Sequence, residues 1–344
     1  MIRDRDQLLS QLRALHAAIR DAVIAQAERA SIEALSAVAS DDAQGDTSFA
    51  IDRIGEHTLI AFFEREVAPH RTLVLVAEGL PDAGYGDGVL VLPRDRAPAD
   101  ADVRIIMDPI DGTRGYMYQK RSAWILTGVA PNDGPDASLR DVELALQTEI
   151  PLVKQHLADQ LWAARGEGLH AERYNRLSRQ STPIQLRPSA ATTVKHGFAT
   201  ISRFFPGPRA ELALLDDEIM RAVLGDARPG KAQAFEDQYI STGGQLYELI
   251  AGHDRFVADL RPTIEPLLAR HGRSSGIACH PYDLAAVLIA EEAGVIVTDG
   301  GGRPLDAPLD IHADVAWAGY ANAAIRAQIE PALLAALRQR GLLV

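Results

Sequence analysis

Ile105-Ile106-Met107-Asp108-Pro109-Ile110-Asp111-Gly112-Thr113 carries more structural information than any other part of this chain. An apolar strand runs directly into two carboxylates three residues apart, set in a Pro/Gly turn. Pro109 fixes φ and Gly112 tolerates positive φ, so the segment is by itself sound turn chemistry. Paired acids at the end of a buried strand nevertheless repel one another unless a positive charge sits between them or water solvates both. A hard cation such as Mg²⁺ answers that need.

Further acids accompany this turn. Upstream, Gly45-Asp46-Thr47-Ser48-Phe49-Ala50-Ile51-Asp52 carries two acids six residues apart, and Thr72-Leu73-Val74-Leu75-Val76-Ala77-Glu78-Gly79 is a second apolar strand ending in an acid. Downstream, His280-Pro281-Tyr282-Asp283-Leu284-Ala285-Ala286 places Asp283 at the start of an Ala-rich helix that runs to Glu291-Glu292-Ala293-Gly294. Each has a plain structural reading: Glu78 as a solvated strand end, Asp52 as a helix N-cap, Asp283 as a complement to its helix dipole. Their joint occurrence is harder to explain by structure alone.

In the order Asp-x5-Asp, strand-Glu, Asp-Pro-Ile-Asp-Gly-Thr, then aromatic-Asp-x-Ala-Ala, the chain resembles the inositol monophosphatase family of metal-dependent, lithium-sensitive phosphatases over most of its length. The resemblance implies an α+β fold, a layered α-β-α-β-α sandwich of the inositol monophosphatase/sugar phosphatase type, with the metals at a subdomain junction. It also implies an enzyme, a Mg²⁺-dependent phosphomonoesterase that hydrolyses a small phosphorylated metabolite with metal-activated water. Glu78, Asp108 and the backbone carbonyl of Ile110 would hold one Mg²⁺, and Asp108, Asp111 and Asp283 a second. Asp46 would lie at the edge, where the family accommodates a third, weaker ion. Thr113, polarised by Asp52 and assisted by Glu78, would help deprotonate the water, and the amides of Gly112 and Thr113 would meet phosphate oxygens.

Departures from the family bear on substrate. Gly79 stands where the family often has a second Glu, and Arg114-Gly115-Tyr116 follows Thr113 where many members continue Thr-Asn-Phe. Gly276 stands where inositol-specific members offer a Glu to sugar hydroxyls. These keep open a nucleotide such as 3′-phosphoadenosine 5′-phosphate, a sugar bisphosphate or histidinol phosphate, and, from another class, a non-catalytic phosphate-binding homologue. Substrate contacts are expected from Arg114, from Ser241 in Ser241-Thr242-Gly243-Gly244-Gln245, and from Arg255, whose guanidinium could equally pair with Asp254 or Asp259.

Length and charge agree with a metabolic enzyme. At 344 residues, two subdomains are expected, 1–185 with most of the ligands and 186–344 supplying Asp283 and substrate contacts. A net charge of −12 argues against a nucleic-acid partner, and no apolar run reaches the length of a membrane span. Cys279 is the single cysteine, which excludes an intrachain disulfide and fits a cytoplasmic setting. A homodimer is the family expectation. Apolar spacing predicts a helix from Asp4 to about Ala39, strands near 72–78, 103–107, 123–130, 142–149 and 160–165, and a Pro/Asp-rich insert at 81–102. Beyond a polar boundary at Asn175–Ser189 come strands near 195–202, 254–259, 295–297 and 314–320, and helices near 243–251, at Asp283 and at 322–340.

Overall fold

The computed structural model of the chain describes residues 2–41, 47–80 and 83–343. The first helix, α1 (Arg5–Ala27), buries Leu8, Leu12, Leu15, Ile19 and Val23 on one face, as their three- and four-residue spacing dictates. A single turn, α2 (Ile32–Leu35), leads to the hairpin β1 (Val38–Asp41) and β2 (Thr47–Phe49), then to α3 (Asp52–Phe62). Eight strands then build one sheet: β3 (Leu73–Ala77), β4 (Val89–Leu92), β5 (Val103–Asp111), β6 (Ala123–Pro131), β7 (Leu144–Ile150), β8 (Leu157–Ala164), β9 (Leu169–Asn175) and β10 (Gln180–Pro183), with a short α4 (Thr113–Met117) after β5. Their order is β10-β9-β8-β7-β6-β5-β3-β4.

The remaining chain forms β11 (Phe198–Ile201), α5 (Arg209–Leu224), α6 (Thr242–Ile250), β12 (Asp254–Asp259), α7 (Arg261–Ala269), α8 (Val287–Glu292), β13 (Ile296–Asp299), β14 (Trp317–Tyr320) and α9 (Ala323–Gln339). Its strands pair in the order β11-β12-β14-β13. Helices α1 and α3 cover one face of the large sheet, α6 and α8 fill the space between the two sheets, and α5 and α9 cover the far face of the small one. The result is the five-layered α-β-α-β-α arrangement. Strands covered on both faces read as continuous apolar runs, which is why Leu73–Ala77 is buried throughout. Among the described residues no helix is long and apolar enough to cross a membrane.

Several elements differ from expectation for identifiable reasons. The N-terminal helix stops at Ala27, and Ser31 caps a new turn by accepting from the amide of Ala34 at 3.3 Å, so 32–39 does not continue it. The insert at 81–102 contains β4, which pairs antiparallel with β3 at the sheet edge. The polar stretch after Asn175 contains β10, an exposed edge strand whose lack of apolar residues hides it. Helices α5 and α7 went unpredicted, although Leu212, Leu215 and Ile219 carry the helical period. Asp283 lies in a 3₁₀ turn, Pro281–Leu284, ahead of α8 rather than at the start of a longer helix.

Two close contacts lock the layers. His16 of α1 is fully buried between the hydroxyls of Thr148 (2.9 Å) and Thr127 (2.8 Å), and burial pushes its imidazole down to about 3. On the opposite face, a Cβ added to Gly128 of β6 would lie 2.4 Å from the carbonyl oxygen of Ala285, so only glycine lets the strand approach the segment that carries Asp283. Gly128→Ala is therefore expected to cost roughly 1–3 kcal/mol, as overpacking typically does. A drop of several degrees in the melting temperature checks the close approach; an unchanged melting temperature would refute it.

Candidate metal centre

Parallel pairing brings the first acids together. In the β3–β5 register Ala77 lies opposite Met107, so Glu78 and Asp108 follow at the same end of neighbouring strands. The β5–β6 ladder is irregular between Asp108 and Asp111, where Pro109 can donate no hydrogen bond, and it resumes with Asp111 opposite Trp124. Asp108 Oδ1 accepts from the amide of Ile110 at 2.9 Å. Asp111 Oδ2 accepts from Ser241 Oγ at 2.8 Å and from the Gly243 amide at 2.6 Å. Ser241 also caps α6, its Oγ accepting from the Gly244 amide at 2.9 Å. A Cβ on Gly243 would stand 2.9 Å from Asp111 Oδ2, so glycine is what admits the carboxylate. Asp283 comes from the other half of the chain, with Oδ2 fixed by the His280 amide at 2.7 Å.

One carboxylate oxygen each from Asp108, Asp111 and Asp283 lies within 4.8 Å of the others. Glu78 lines the same cavity and acts electrostatically on Asp108. Burial, reinforced by Asp111, Asp283 and Glu78, holds the Asp108 carboxyl well above the usual carboxylate range. Burial and the Asp283 charge push Asp111 up to about 8, and burial raises Asp283 to about 6 despite the His280 amide and the nearby Arg261. Such a group is unfavourable as it stands at neutral pH. A divalent cation would remove the repulsion, and an all-oxygen donor set suits a hard ion such as Mg²⁺. These residues fit the metal their sequence suggested.

Next to the cluster, Thr113 Oγ1 lies 2.7 Å from Asp52 Oδ1 and 2.8 Å from the Ile110 carbonyl oxygen. A hydroxyl has one proton, and the charged carboxylate is the stronger acceptor. Asp52 is itself held by the Phe49 amide on Oδ2 at 2.8 Å. With the proton directed to Asp52, the carbonyl of Ile110 and the lone pairs of Thr113 face other partners. Gly112, at φ 92°, makes the turn that starts α4 beside them. Asp46 lies outside the described residues.

The cavity over the acids measures about 780 Å³. Gly112, Arg114 and Ser241 line it. The Ser241 hydroxyl is committed to Asp111, which makes this residue a holder of the acid cluster. Arg255 does not line the cavity: it sits on the carbonyls of Thr193 (2.7 Å) and Lys195 (2.6 Å), pairing with neither Asp254 nor Asp259, because β12 turns it toward that loop. Asp259 instead binds Arg261, at 2.9 Å from Oδ1 to Nε, and Arg261 does line the cavity. Phe204 and Phe205 line it as well, and sequence reasoning passed over them. The only available signal was an aromatic pair in a Pro/Gly loop, without period.

The raised carboxyls fix a pH dependence. In the native state they keep protons that the unfolded chain loses near pH 4, so their contribution to metal-free stability falls as pH rises from about 4 to about 8. Asp108→Asn removes one charge from the cluster. It is expected to melt higher than wild type at pH 8 without metal, with the gap closing toward pH 4, while losing the stabilisation that Mg²⁺ gives wild type. Thermal melts with Mg²⁺ or chelator across this range test it, and a gap independent of pH would contradict it.

No family model and no curated protein matches the sequence. Similar solved structures include Leishmania major fructose-1,6-bisphosphatase, 14% identical with TM-score 0.66, covering 98% of this chain and 96% of that one. The extragenic suppressor protein SuhB from Bartonella henselae is 15% identical with TM-score 0.62, covering 95% of this chain and 98% of that one. A Thermotoga maritima IMPase is 16% identical with TM-score 0.60, covering 97% and 99%. Over nearly its whole length, the chain has the fold of the inositol monophosphatase and fructose-1,6-bisphosphatase structures.

Proposed function

We propose that this protein is a Mg²⁺-dependent phosphomonoesterase acting on a small phosphorylated metabolite. The observation that carries the proposal is the Thr113–Asp52 hydrogen bond beside three converging carboxylates. A purely structural acid cluster has no use for a hydroxyl whose proton is drawn off by a second, independently held carboxylate. The likeness to a fructose-1,6-bisphosphatase and to an IMPase supports the same reaction class.

Glu78, Asp108, Asp111, Asp283 and the Ile110 carbonyl would hold two ions, with Asp108 shared and Asp46 as the edge ligand of a third. When bound, the cations supply charge neutralisation at the phosphate and an acidified water. The Thr113 hydroxyl donates to Asp52 and so would accept a hydrogen bond from the attacking water through a lone pair, orienting the water and, as its own proton shifts toward Asp52, drawing off the water's proton and raising its nucleophilicity. Glu78 stands ready at the same end of β3 as a second acceptor. The amides of Gly112 and Thr113 would bind phosphate oxygens and stabilise the charge that develops there. The buried cluster requires its cations before it tolerates an anionic substrate.

Arg114 lines the cavity and Gly276 presents no side chain, which leaves a second anionic group on the substrate accommodated and a polyol-binding carboxylate missing at that position. We read the active form as a cytoplasmic homodimer, to be tested by light scattering. Phosphate release from inositol, sugar, nucleotide and amino-alcohol monophosphates, with Mg²⁺ or chelator, tests the function. Asp108→Asn is expected to abolish turnover. Thr113→Val and Asp52→Asn are expected to lower kcat about 10²- to 10⁴-fold, the range of positioned acid–base groups, with smaller changes in KM. Mg²⁺ binding without turnover of any class would favour the non-catalytic alternative.

A further inference from the structure

One side of the cavity alternates aromatic rings with guanidinium groups. The Arg114 guanidinium carbon lies 5.8 Å from the ring centroid of Phe49 and 5.3 Å from that of Phe205. The Arg261 guanidinium carbon lies 5.3 Å from Phe205 and 5.0 Å from Phe204. Phe204 and Phe205 meet edge to face at 5.6 Å. The sequence Phe49–Arg114–Phe205–Arg261–Phe204 is thus contiguous, although its members come from β2, α4, the loop after β11 and the start of α7.

This arrangement is not core packing. Phe204 and Phe205 belong to none of the three hydrophobic cores, remain partly exposed and face a cavity whose floor is acidic. Apolar rings left beside water in a polar cleft signal a ligand with a matching surface. Arg261 narrows the choice. Its Nε and Nη2 donate to Asp259, and Nη1 donates to the Ile277 carbonyl at 2.7 Å, so each nitrogen is engaged within the protein. A guanidinium held edge-on by Asp259 and the Ile277 carbonyl and packed among rings contributes a flat, cationic surface. Flat cationic and aromatic surfaces in alternation attract planar π systems. Saturated polyols present no such plane.

We propose that this alternating wall selects a phosphomonoester whose alcohol carries a planar aromatic ring, in chemical terms a nucleoside phosphate, over a saturated polyol phosphate. The inference rests on the phosphatase reading of the same site. The base would lie along Phe205 and its neighbours, and the ribose hydroxyls would meet the polar rim of Asp87, His312 and Asp314. Space for the base extends past Gly276, where an added Cβ would meet nothing within 4 Å.

The test compares adenosine 2′-, 3′- and 5′-monophosphates with ribose 5-phosphate and inositol 1-phosphate, by kcat/KM with Mg²⁺ and by calorimetric binding. At least one nucleoside phosphate is expected to exceed ribose 5-phosphate by about tenfold or more, the size of one base-on-aromatic stack. That ratio should fall toward one in Phe205→Leu and recover in Phe205→Tyr, with thermal melts verifying that both variants fold. Equal or better use of the base-free phosphates, or a ratio unmoved in Phe205→Leu, overturns the proposal while leaving phosphatase activity standing. Base-dependent binding that is lost in Phe205→Leu, with no turnover of any ester, keeps the wall and removes the hydrolytic reading.

Discussion

Mutual repulsion of carboxylates in a poorly solvated place is the constraint around which this structure is arranged. At an effective dielectric of about 20, two unit charges 4 Å apart cost roughly 4 kcal/mol, and Asp108 faces Asp111, Asp283 and Glu78 together. A fold tolerates such a group only if the surrounding framework fixes each acid independently. Here it does: the Ile110 amide holds Asp108, the first turn of α6 holds Asp111, and the His280 amide holds Asp283. The cluster is thus preformed, its geometry fixed by backbone amides.

The three acids arrive along different routes. Two come from the end of one strand of the large sheet, and the third crosses from a 3₁₀ turn in the middle layer. Asp111 joins these regions directly, because its partners Ser241 and Gly243 begin the helix that packs between the sheets. Gly128 performs a similar service from β6 by letting the chain at Ala285 sit against the strand. Site and inter-layer packing are therefore one set of contacts, and small residues at Gly128 and Gly243 serve both.

Much of this was legible in the sequence. Apolar strands ending in acids announced Glu78, Asp108 and Asp111, since nothing local explains a buried strand that ends in paired charges. Asp283 and the Thr113–Asp52 pairing came from the family's motif order, and the structure places the described members of that set together. What stayed hidden lacked a local signal. β10 has no apolar face, the bond from the Ser241 hydroxyl to Asp111 joins residues far apart in sequence, and Arg255 was indistinguishable from Arg261 as an isolated guanidinium. Tertiary packing separates those two arginines, because β12 turns Arg255 toward the Thr193–Lys195 loop whereas Arg261 begins α7 at the cavity. Phe204 and Phe205 gain meaning only beside Arg114 and Arg261, which are distant in sequence.

His16 gives the fold a counterweight. Its imidazole is neutral between two threonine hydroxyls, with an affinity for protons far below the ordinary value of 6.5, so acid favours the unfolded chain, which can take up that proton. The carboxylates press the other way, because alkali favours the chain in which they separate. Without metal the two effects overlap between about pH 4 and 6.5, where rising pH relieves the penalty at His16 and adds to that at the carboxylates. A divalent cation held among the carboxylates would relieve only their penalty and leave that of His16 in place.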